Sequence, residues 1–305
     1  MPGADQDAIT KLAFIGFGEA GQAFVQGFGR RWSGIAWAFD IKTDDTRAEV
    51  RDGKWADYRR AGVTGCVAPA DALTQAEVIF SVVTADQALS AAESAARHIA
   101  PGALYFDCNS CSPGTKRRAA AAISKAGGFY VDTAVMGPVH PHLNKVPLLI
   151  AGDQTEQAVQ ALTALEMNGE IVDGAAGAAS AIKMTRSIMM KGLEALFVEC
   201  VLAGRSAGVD EVVLDSLEVT FPGFEFKTKA AYMLERVMTH GLRRAAEMRE
   251  VAVTVEELGL PGRMAGASTE WQQQIGDLGL AAEGHDYRAM ADALLAQLGR
   301  KEDTA

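Results

Sequence analysis

Residues 11–21 read KLAFIGFGEAG, and this stretch decides the fold. A short apolar run, Lys11–Gly16, leads directly into a G-x-G-x-x-G pattern made by Gly16, Gly18 and Gly21. Alone the pattern is weak, but a strand before it and a helix after it are the context in which it binds a dinucleotide. The first glycine allows a tight turn, the second lets the backbone approach a pyrophosphate, and the third permits close helix–strand packing. We therefore expect a nucleotide-binding strand–turn–helix unit here.

An acidic residue strengthens this interpretation against that of an ordinary strand-to-helix turn. Asp40 ends the second apolar run, 19 residues after Gly21, where a carboxylate accepts hydrogen bonds from the adenosine ribose. The same carboxylate repels a 2′-phosphate, which favours NAD over NADP, although Lys42 softens that preference and leaves NADP possible. Backbone N–H groups at the helix start face the phosphates. The predicted cofactor contacts of the loop are Gly16, Phe17, Gly18, Glu19, Ala20 and Gly21.

Six further apolar runs follow, up to about residue 173, separated by segments of helical length. They are 35–40, 78–83, 104–107, 129–132, 147–152 and 170–173. Near-continuous hydrophobic runs with helical connections are typical of buried strands in a mostly parallel sheet. The pattern predicts a Rossmann-type, doubly wound α/β domain.

After Gly174 the sequence changes character. Residues 178–207 are strongly helical, and about 30 helical residues span about 45 Å, enough to link two domains. The remainder, from 210 to about 298, has helical periodicity and no convincing strands. We predict a nucleotide-binding domain over 1–174 and an all-α C-terminal domain over 175–305, joined by a long interdomain helix.

Composition limits the partners. The 305 residues are 49% apolar and 22% charged, with a net charge of −10, which argues against nucleic acid or an anionic membrane as a partner. Four cysteines do not form a secreted disulfide framework, which favours a reducing, cytoplasmic location. The N-terminal sequence MPGADQDAITK lacks the features of a signal peptide, and no run is apolar enough to span a bilayer.

Four more segments follow one another in a recognisable order. They are Val82-Val83-Thr84, DCNSCSP (107–113), DTAVMGP (132–138) and GAAGAASAIKMTRS (174–187). With the glycine loop, this order resembles the β-hydroxyacid dehydrogenase family, which contains 3-hydroxyisobutyrate dehydrogenase and 6-phosphogluconate dehydrogenase. The likeness covers about two thirds of the chain. It implies an NAD(P)-dependent oxidoreductase that acts on a CH–OH group and assembles as a homodimer or homotetramer.

The resemblance implies roles at the matching positions. Val83 and Thr84 match contacts to the nicotinamide-side ribose, and Ser110 matches the interface between cofactor and substrate. Lys183 matches the family's catalytic lysine. The substrate-binding positions implied are Ser110, Met136, Gly137, Arg186, Ser187 and Glu247.

The chain also departs from the family pattern. Met136 removes a hydroxyl, and Pro138 removes a backbone donor, where the family commonly has Ser-Gly-Gly. Arg186 and Ser187 stand where the family has asparagines. These changes leave the fold and the cofactor in place but indicate an unusual branch with a different substrate.

Helix periodicity singles out the lysine independently. At about 100° per residue, the side chains of Ser180, Lys183, Ser187, Lys191 and Glu194 fall within one arc of roughly 80°. Such a stripe is either a solvated edge with a Lys191–Glu194 pair or the wall of a cleft, and the glycine-rich approach favours the cleft. Alcohol oxidation must move the hydroxyl proton, and burial beside a cationic nicotinamide lowers the pKa of a lysine from about 10.4 towards neutral. We expect Lys183 to be the general acid/base.

Other features allow two interpretations. Arg186 is either a bidentate clamp for an acidic group or half of a surface ion pair. Glu247 either reaches the active site or lies on a solvated helix face. Cys108-x-x-Cys111 has no second ligand pair, so we predict no metal site.

Three functions remain open. The leading hypothesis is a dehydrogenase that oxidises the hydroxyl of a small β-hydroxy acid or related polar alcohol, a small anionic or polar substrate. A runner-up reduces C=N bonds as imine reductases do, which the retained Lys183 disfavours because those relatives usually replace that lysine. The third is a dinucleotide-sensing protein without turnover.

Overall fold

A computed structural model describes residues 9–282 and 284–302, so most of the segment in which no signal peptide is predicted lies outside the described residues. The chain divides into two compact units, with the boundary between Met184 and Thr185. The sequence analysis predicted this boundary at Gly174, ten residues earlier in the chain. The reason is that the first turn of the long helix is hydrogen-bonded to the sheet of the first unit, through Asp132.

One sheet organises the first unit. Within the described residues its strands are β1 (Leu12–Ile15), β2 (Ala36–Phe39), β3 (Thr64–Cys66), β4 (Val78–Ser81), β5 (Leu104–Asp107), β6 (Phe129–Val135), β7 (Leu148–Ala151) and β8 (Gly169–Ile171). Their order is β3-β2-β1-β4-β5-β6-β7-β8, and only the β6–β7 pair is antiparallel. The predicted Rossmann-type, mostly parallel sheet is confirmed.

The apolar runs form strands because both faces of the sheet are covered. In β1, Leu12 and Phe14 belong to one buried cluster, while Ala13 and Ile15 belong to another on the opposite face. A strand buried on both sides needs a continuous hydrophobic run, which is why the sequence revealed it. The strand that the sequence analysis missed, β3, is a short edge strand with the sequence TGC and has no such run.

Helices pack around this sheet and make up the second unit. Those of the first unit are α1 (Glu19–Phe28), α2 (Arg30–Ser33), α3 (Ala48–Ala61), α4 (Pro69–Leu73), α5 (Ala88–Ala96), α6 (Pro113–Lys125), α7 (Val139–His142) and α8 (Thr155–Ala164). The long helix α9 (Ala178–Ser206) starts in the first unit and ends one residue before the predicted end. The second unit continues with α10 (Asp210–Thr220), α11 (Phe226–Glu257), α12 (Arg263–Gly276) and α13 (Tyr287–Glu302).

The described part of the second unit contains no strand, as the sequence predicted. Its core is an apolar cluster contributed by α9, α10, α11, α12 and α13, in which Val198, Leu234, Val237 and Leu294 are buried. None of the described helices has the combination of length and hydropathy needed to cross a membrane.

Candidate dinucleotide and catalytic site

Three loops meet at the carboxyl edge of the sheet because β1, β4 and β5 are parallel neighbours. The hydrogen bonds between strands continue into the first residue of each loop. Gly16 N–H donates to Phe39 O at 2.8 Å, Val82 N–H to Ile15 O at 2.8 Å and Cys108 N–H to Ser81 O at 3.0 Å. The strand order reverses between β1 and β4, and such a switch point is where doubly wound sheets bind ligands.

The glycine loop has the geometry that a dinucleotide requires. Gly16 has a φ of +82°, and a Cβ there would lie 2.7 Å from Val82 O, so only glycine fits. A Cβ at Gly18 would meet no atom within 4 Å, which leaves the backbone open to a ligand, whereas one at Gly21 would lie 3.1 Å from the Phe17 ring. No side chain caps the start of α1, so the N–H groups of its first turn are donors for a pyrophosphate. The loop therefore fits the cofactor.

Asp40 lies at this loop, as predicted, and is held by backbone. Its carboxylate accepts hydrogen bonds from Phe17 N–H at 2.8 Å and Lys42 N–H at 3.0 Å. The Nζ of Lys54 lies 3.9 Å from Asp40 Oδ2 and donates to Phe17 O at 2.7 Å. Phe17 differs from the expectation, because its ring is buried and its N–H is engaged by Asp40 rather than directed at a phosphate.

A second residue that the sequence analysis did not single out links the next two loops. Asn109 accepts a hydrogen bond from Val83 N–H at 2.7 Å and donates to Ser81 Oγ at 2.9 Å and Asp107 Oδ1 at 2.7 Å. It thereby fixes the loop that carries Val83 and the exposed Thr84, the two positions expected near the nicotinamide ribose. Nothing in the sequence distinguished Asn109 from an ordinary loop asparagine.

Lys183 and Ser110 meet within the first unit. The Nζ of Lys183 donates to Ser110 Oγ at 2.6 Å, and both residues are partly buried. Asp132, at the centre of β6, places the start of α9, since it accepts Gly177 N–H at 2.9 Å, Ser180 N–H at 3.0 Å and Ser180 Oγ–H at 2.5 Å. An acidic group at a helix N-terminus is electrostatically favourable, so Asp132 fixes the position of the lysine one turn later.

A buried lysine joins the two strand ends behind this pair. Lys116 of α6 donates to Asp107 O at 2.6 Å, and its Nζ lies 3.0 Å from Asp107 Oδ1 and 3.5 Å from Asp132 Oδ1. All three side chains are fully buried. Burial alone lowers the pKa of Lys116, but the negative charges of Asp107 and Asp132 outweigh it, so its pKa is raised and it stays an ammonium ion. A lysine in an amphipathic helix pattern looks solvent-exposed, which is why the sequence analysis overlooked it.

The expected substrate loop follows β6 at the same edge. Met136 N–H donates to Pro147 O at 2.8 Å, and its side chain packs against buried Ala134, Ala151 and Ala179. Gly137 is partly buried, with its nearest neighbour, a Val146 methyl, 3.8 Å from a Cβ position. The Met136 side chain therefore contributes to packing, whereas Gly137 has only backbone groups with which to contact a ligand.

The remaining substrate positions lie in the second unit. Arg186 is exposed and Ser187 is buried. Lys191 connects Ser187 with Glu247, because its Nζ donates to Ser187 Oγ at 3.2 Å and lies 3.1 Å from Glu247 Oε2. Arg243 also pairs with Glu247, at 2.9 Å.

The polar stripe of α9 is not a solvated edge. Glu194 is buried and accepts hydrogen bonds from Arg244 at 2.6 Å and from Gln272 at 3.1 Å. Lys191 lies 3.1 Å from Glu247 Oε2, and its charge also acts on Glu194, so the two residues of the predicted pair interact inside a buried cluster and not on a solvated edge.

Cys108 and Cys111 are not part of a cluster of metal-ligating side chains in the described residues. Cys108 and Cys111 are buried and form no disulfide, and burial raises the pKa of Cys108 to about 12. No three His, Cys, Asp or Glu side chains of the described residues converge as metal ligands.

Comparison with known proteins places this geometry in a family. The model for the NAD binding domain of 6-phosphogluconate dehydrogenase matches residues 11–177, and that for a domain of unknown function, DUF1932, matches residues 205–275. The chain belongs to the β-hydroxyacid dehydrogenase family. It is an atypical member, and its cofactor site is that of an NAD-binding domain.

Two solved relatives of this dehydrogenase-family chain have no established activity. A conserved hypothetical protein from Sinorhizobium meliloti 1021 is 38% identical, covers 95% of this chain and 97% of its own, and superposes with a TM-score of 0.74. A conserved protein of unknown function, described as structurally similar to 3-hydroxyacid dehydrogenases, is 30% identical over 89% of this chain and all of its own, with a TM-score of 0.65. The 3-hydroxyisobutyrate dehydrogenase of Mycobacterium tuberculosis is 17% identical, with coverages of 94% and 99% and a TM-score of 0.67, and shares the fold.

Proposed function

We propose that this protein is an NAD(P)-dependent dehydrogenase that oxidises the hydroxyl of a small β-hydroxy acid or related polar alcohol. The observation that carries the proposal is the hydrogen bond from Lys183 Nζ to Ser110 Oγ, which holds an amine at the edge of the sheet where the glycine loop opens. When bound, NAD(P) supplies the hydride acceptor. Lys183 in its neutral form accepts the hydroxyl proton during oxidation and returns it during reduction.

The surrounding residues orient this amine. Ser110 accepts one N–H of Lys183, which fixes the position of the nitrogen. Asn109 and Asp132 fix the two backbone segments that carry the pair. Oriented groups of this kind lower the entropic part of a barrier. The backbone of Gly137 and the Ser110 hydroxyl are the proposed substrate contacts of the first unit. The sequence-based assignment of Arg186, Ser187 and Glu247 to substrate binding stays a prediction.

The test is a substrate panel. Purified protein is mixed with NAD or NADP and with β-hydroxy acids and polar alcohols, and reduced cofactor is followed by absorbance. We expect oxidation of at least one member by the unmodified chain, and a loss of about 10²–10⁴-fold in kcat for Lys183→Met, as removal of a general base causes. The matched control is Lys145→Met, which removes an exposed lysine paired with Glu166. Turnover by Lys183→Met at the native rate would refute the role of Lys183.

Reduction of C=N bonds is the competing enzymatic function. A second arm of the panel contains cyclic imines and NADPH. Turnover of a hydroxy acid or alcohol alone supports the dehydrogenase, whereas turnover of an imine alone supports C=N reduction. The third possibility, a sensor, predicts NADH binding with no turnover in either arm.

We further propose a homodimer or homotetramer, assembled through the helical unit. Large apolar side chains are exposed along its helices, among them Met189, Leu196, Val212 and Val219. Met189 and Leu196 in α9, like Val212 and Val219 in α10, are seven residues apart and so share one face of their helix, and an exposed apolar face typically marks an interface. Sedimentation velocity at micromolar concentration is the test, and a monomer would contradict it. The four cysteines, all of them described by the structure, form no disulfide, which is consistent with the cytoplasmic location that we propose.

A further inference from the structure

One residue of the glycine loop is held by charged side chains through both its backbone N–H and its backbone C=O. It is Phe17, whose N–H donates to Asp40 Oδ2 at 2.8 Å and whose C=O accepts from Lys54 Nζ at 2.7 Å. Lys54 comes from α3, a helix outside the loop, and its side chain is only 6% exposed. A charge buried to this extent needs a specific function or a complete set of partners.

The partners of Lys54 hold it rigidly in place. Asp57, one turn later on α3, lies 2.9 Å from its Nζ, and Asp40 Oδ2 lies 3.9 Å away. Arg60 forms an ion pair with Asp57 and donates a hydrogen bond to Gln22 of α1 at 3.2 Å. These partners restrict the Lys54 side chain to one position between α3 and the loop.

The hydrogen bond from Lys54 to Phe17 O also orients the next amide, the N–H of Gly18. In a trans peptide the C=O and the next N–H point in opposite directions. Since Lys54 holds Phe17 O towards α3, the N–H of Gly18 is turned away from α3, at the glycine where an added Cβ would meet no atom within 4 Å. A cation on the carbonyl also polarises the peptide and strengthens its N–H as a donor.

We infer that Lys54 is a positioning residue for dinucleotide binding, which aims the Gly18 N–H at the pyrophosphate and strengthens it as a donor. This inference rests on the cofactor site and does not require hydride transfer. Lys54 does not touch the ligand itself and acts through the Phe17–Gly18 peptide. No motif in the sequence indicated this role.

The experiment measures binding of NADH to the full chain by fluorescence titration, with ADP-ribose and adenosine as competitors. Lys54→Met should raise the dissociation constant of NADH about tenfold, the effect of about 1.4 kcal/mol. ADP-ribose, which keeps the pyrophosphate, should weaken by the same factor, whereas adenosine, which lacks it, should change less than about twofold, a change within 0.5 kcal/mol. A merely structural role would weaken all three alike.

Two further variants keep the outcome decisive. Arg59→Met removes one exposed positive charge from the same helix and should leave NADH binding unchanged, which separates positioning from net charge. Lys54→Gln retains a polar group in the buried site and replaces Lys54→Met if that variant does not fold. A folded Lys54→Met or Lys54→Gln protein with native affinity for NADH would overturn the inference, as would an equal loss for adenosine. Failure of the substrate panel would leave it standing, because the readout is binding alone.

Discussion

Lys183 donates a hydrogen bond of 2.6 Å to Ser110, although 73 residues separate the two in the chain. Ser110 follows β5, and Lys183 lies in the second turn of α9, so their meeting depends on the two acidic groups that anchor these segments. Asp107 holds the loop after β5 through Asn109, and Asp132 holds the start of α9 through Ser180. The proposed catalytic pair is thus a product of sheet topology.

Removal of the Ser110 hydroxyl should slow the reaction. Ser110→Ala deletes a hydrogen bond to Lys183, which becomes positively charged as it takes up the hydroxyl proton. A hydrogen bond to a charged group is worth about 1.5–3 kcal/mol, so we expect kcat to fall about 10–100-fold on the substrate that the panel identifies. Ser110→Thr retains the hydroxyl and should recover most of the rate. Steady-state kinetics of the three proteins decide the matter, and an undiminished kcat in Ser110→Ala would contradict the orienting role.

Two glycines of the loop should respond differently to alanine. Gly18→Ala adds a methyl that meets no protein atom, so the fold should keep its stability within about 0.5 kcal/mol while NADH binding weakens. Gly16→Ala is strained by its φ of +82° and clashes with Val82 O, so it should lose about 1–3 kcal/mol or more. Urea unfolding and NADH titration of both variants test this. Native NADH affinity in Gly18→Ala would argue against a ligand at that amide.

Lys116 should be essential to stability. Lys116→Met leaves Asp107 and Asp132 buried without their cation, and removal of one partner of a buried ion pair costs about 3–5 kcal/mol. Lys125→Met, at the exposed end of the same helix, is the control and should change stability by less than about 0.5 kcal/mol. Chemical denaturation compares the two. Equal stabilities would mean that the buried carboxylates find other partners.

The pH dependence of stability should contain a contribution from His240. Burial lowers the pKa of His240, the neighbouring Arg236, Arg243 and Arg244 lower it further, and Glu235 opposes them. Above the unfolded pKa of about 6.5 the imidazole is neutral in both states and has no effect. As the pH falls below that value, the unfolded chain gains a proton that the folded chain resists, so stability decreases.

His240→Gln removes this titration. The free energy of unfolding of the variant should therefore decline less than that of the unmodified protein between pH 7 and pH 5. His98→Gln is the comparison, since it changes a histidine of the other unit. Parallel pH curves for His240→Gln and the unmodified chain would show that the arginine cluster does not act on His240.

The sequence by itself determined the features that have a local signal. Strands buried on both faces must be continuously apolar, so β1, β4 and β5 could be predicted within one or two residues. The glycine loop and α9 were equally predictable, because the positive φ and close packing of Gly16 strongly favour glycine and a 29-residue helix must repeat its apolar positions. The edge strand β3 has no such requirement, and it was missed.

Only the tertiary structure decided which polar groups meet. Lys54, Lys116 and Lys191 look alike in sequence, yet one holds a loop peptide, one lies fully buried between two carboxylates, and one links Ser187 with Glu247. The environment of a charged side chain depends on residues brought together from distant strands and helices, and no local periodicity records it. For that reason the pattern of glycines and apolar residues specified the fold and the cofactor, whereas the contacts that would select a substrate depended on the packing.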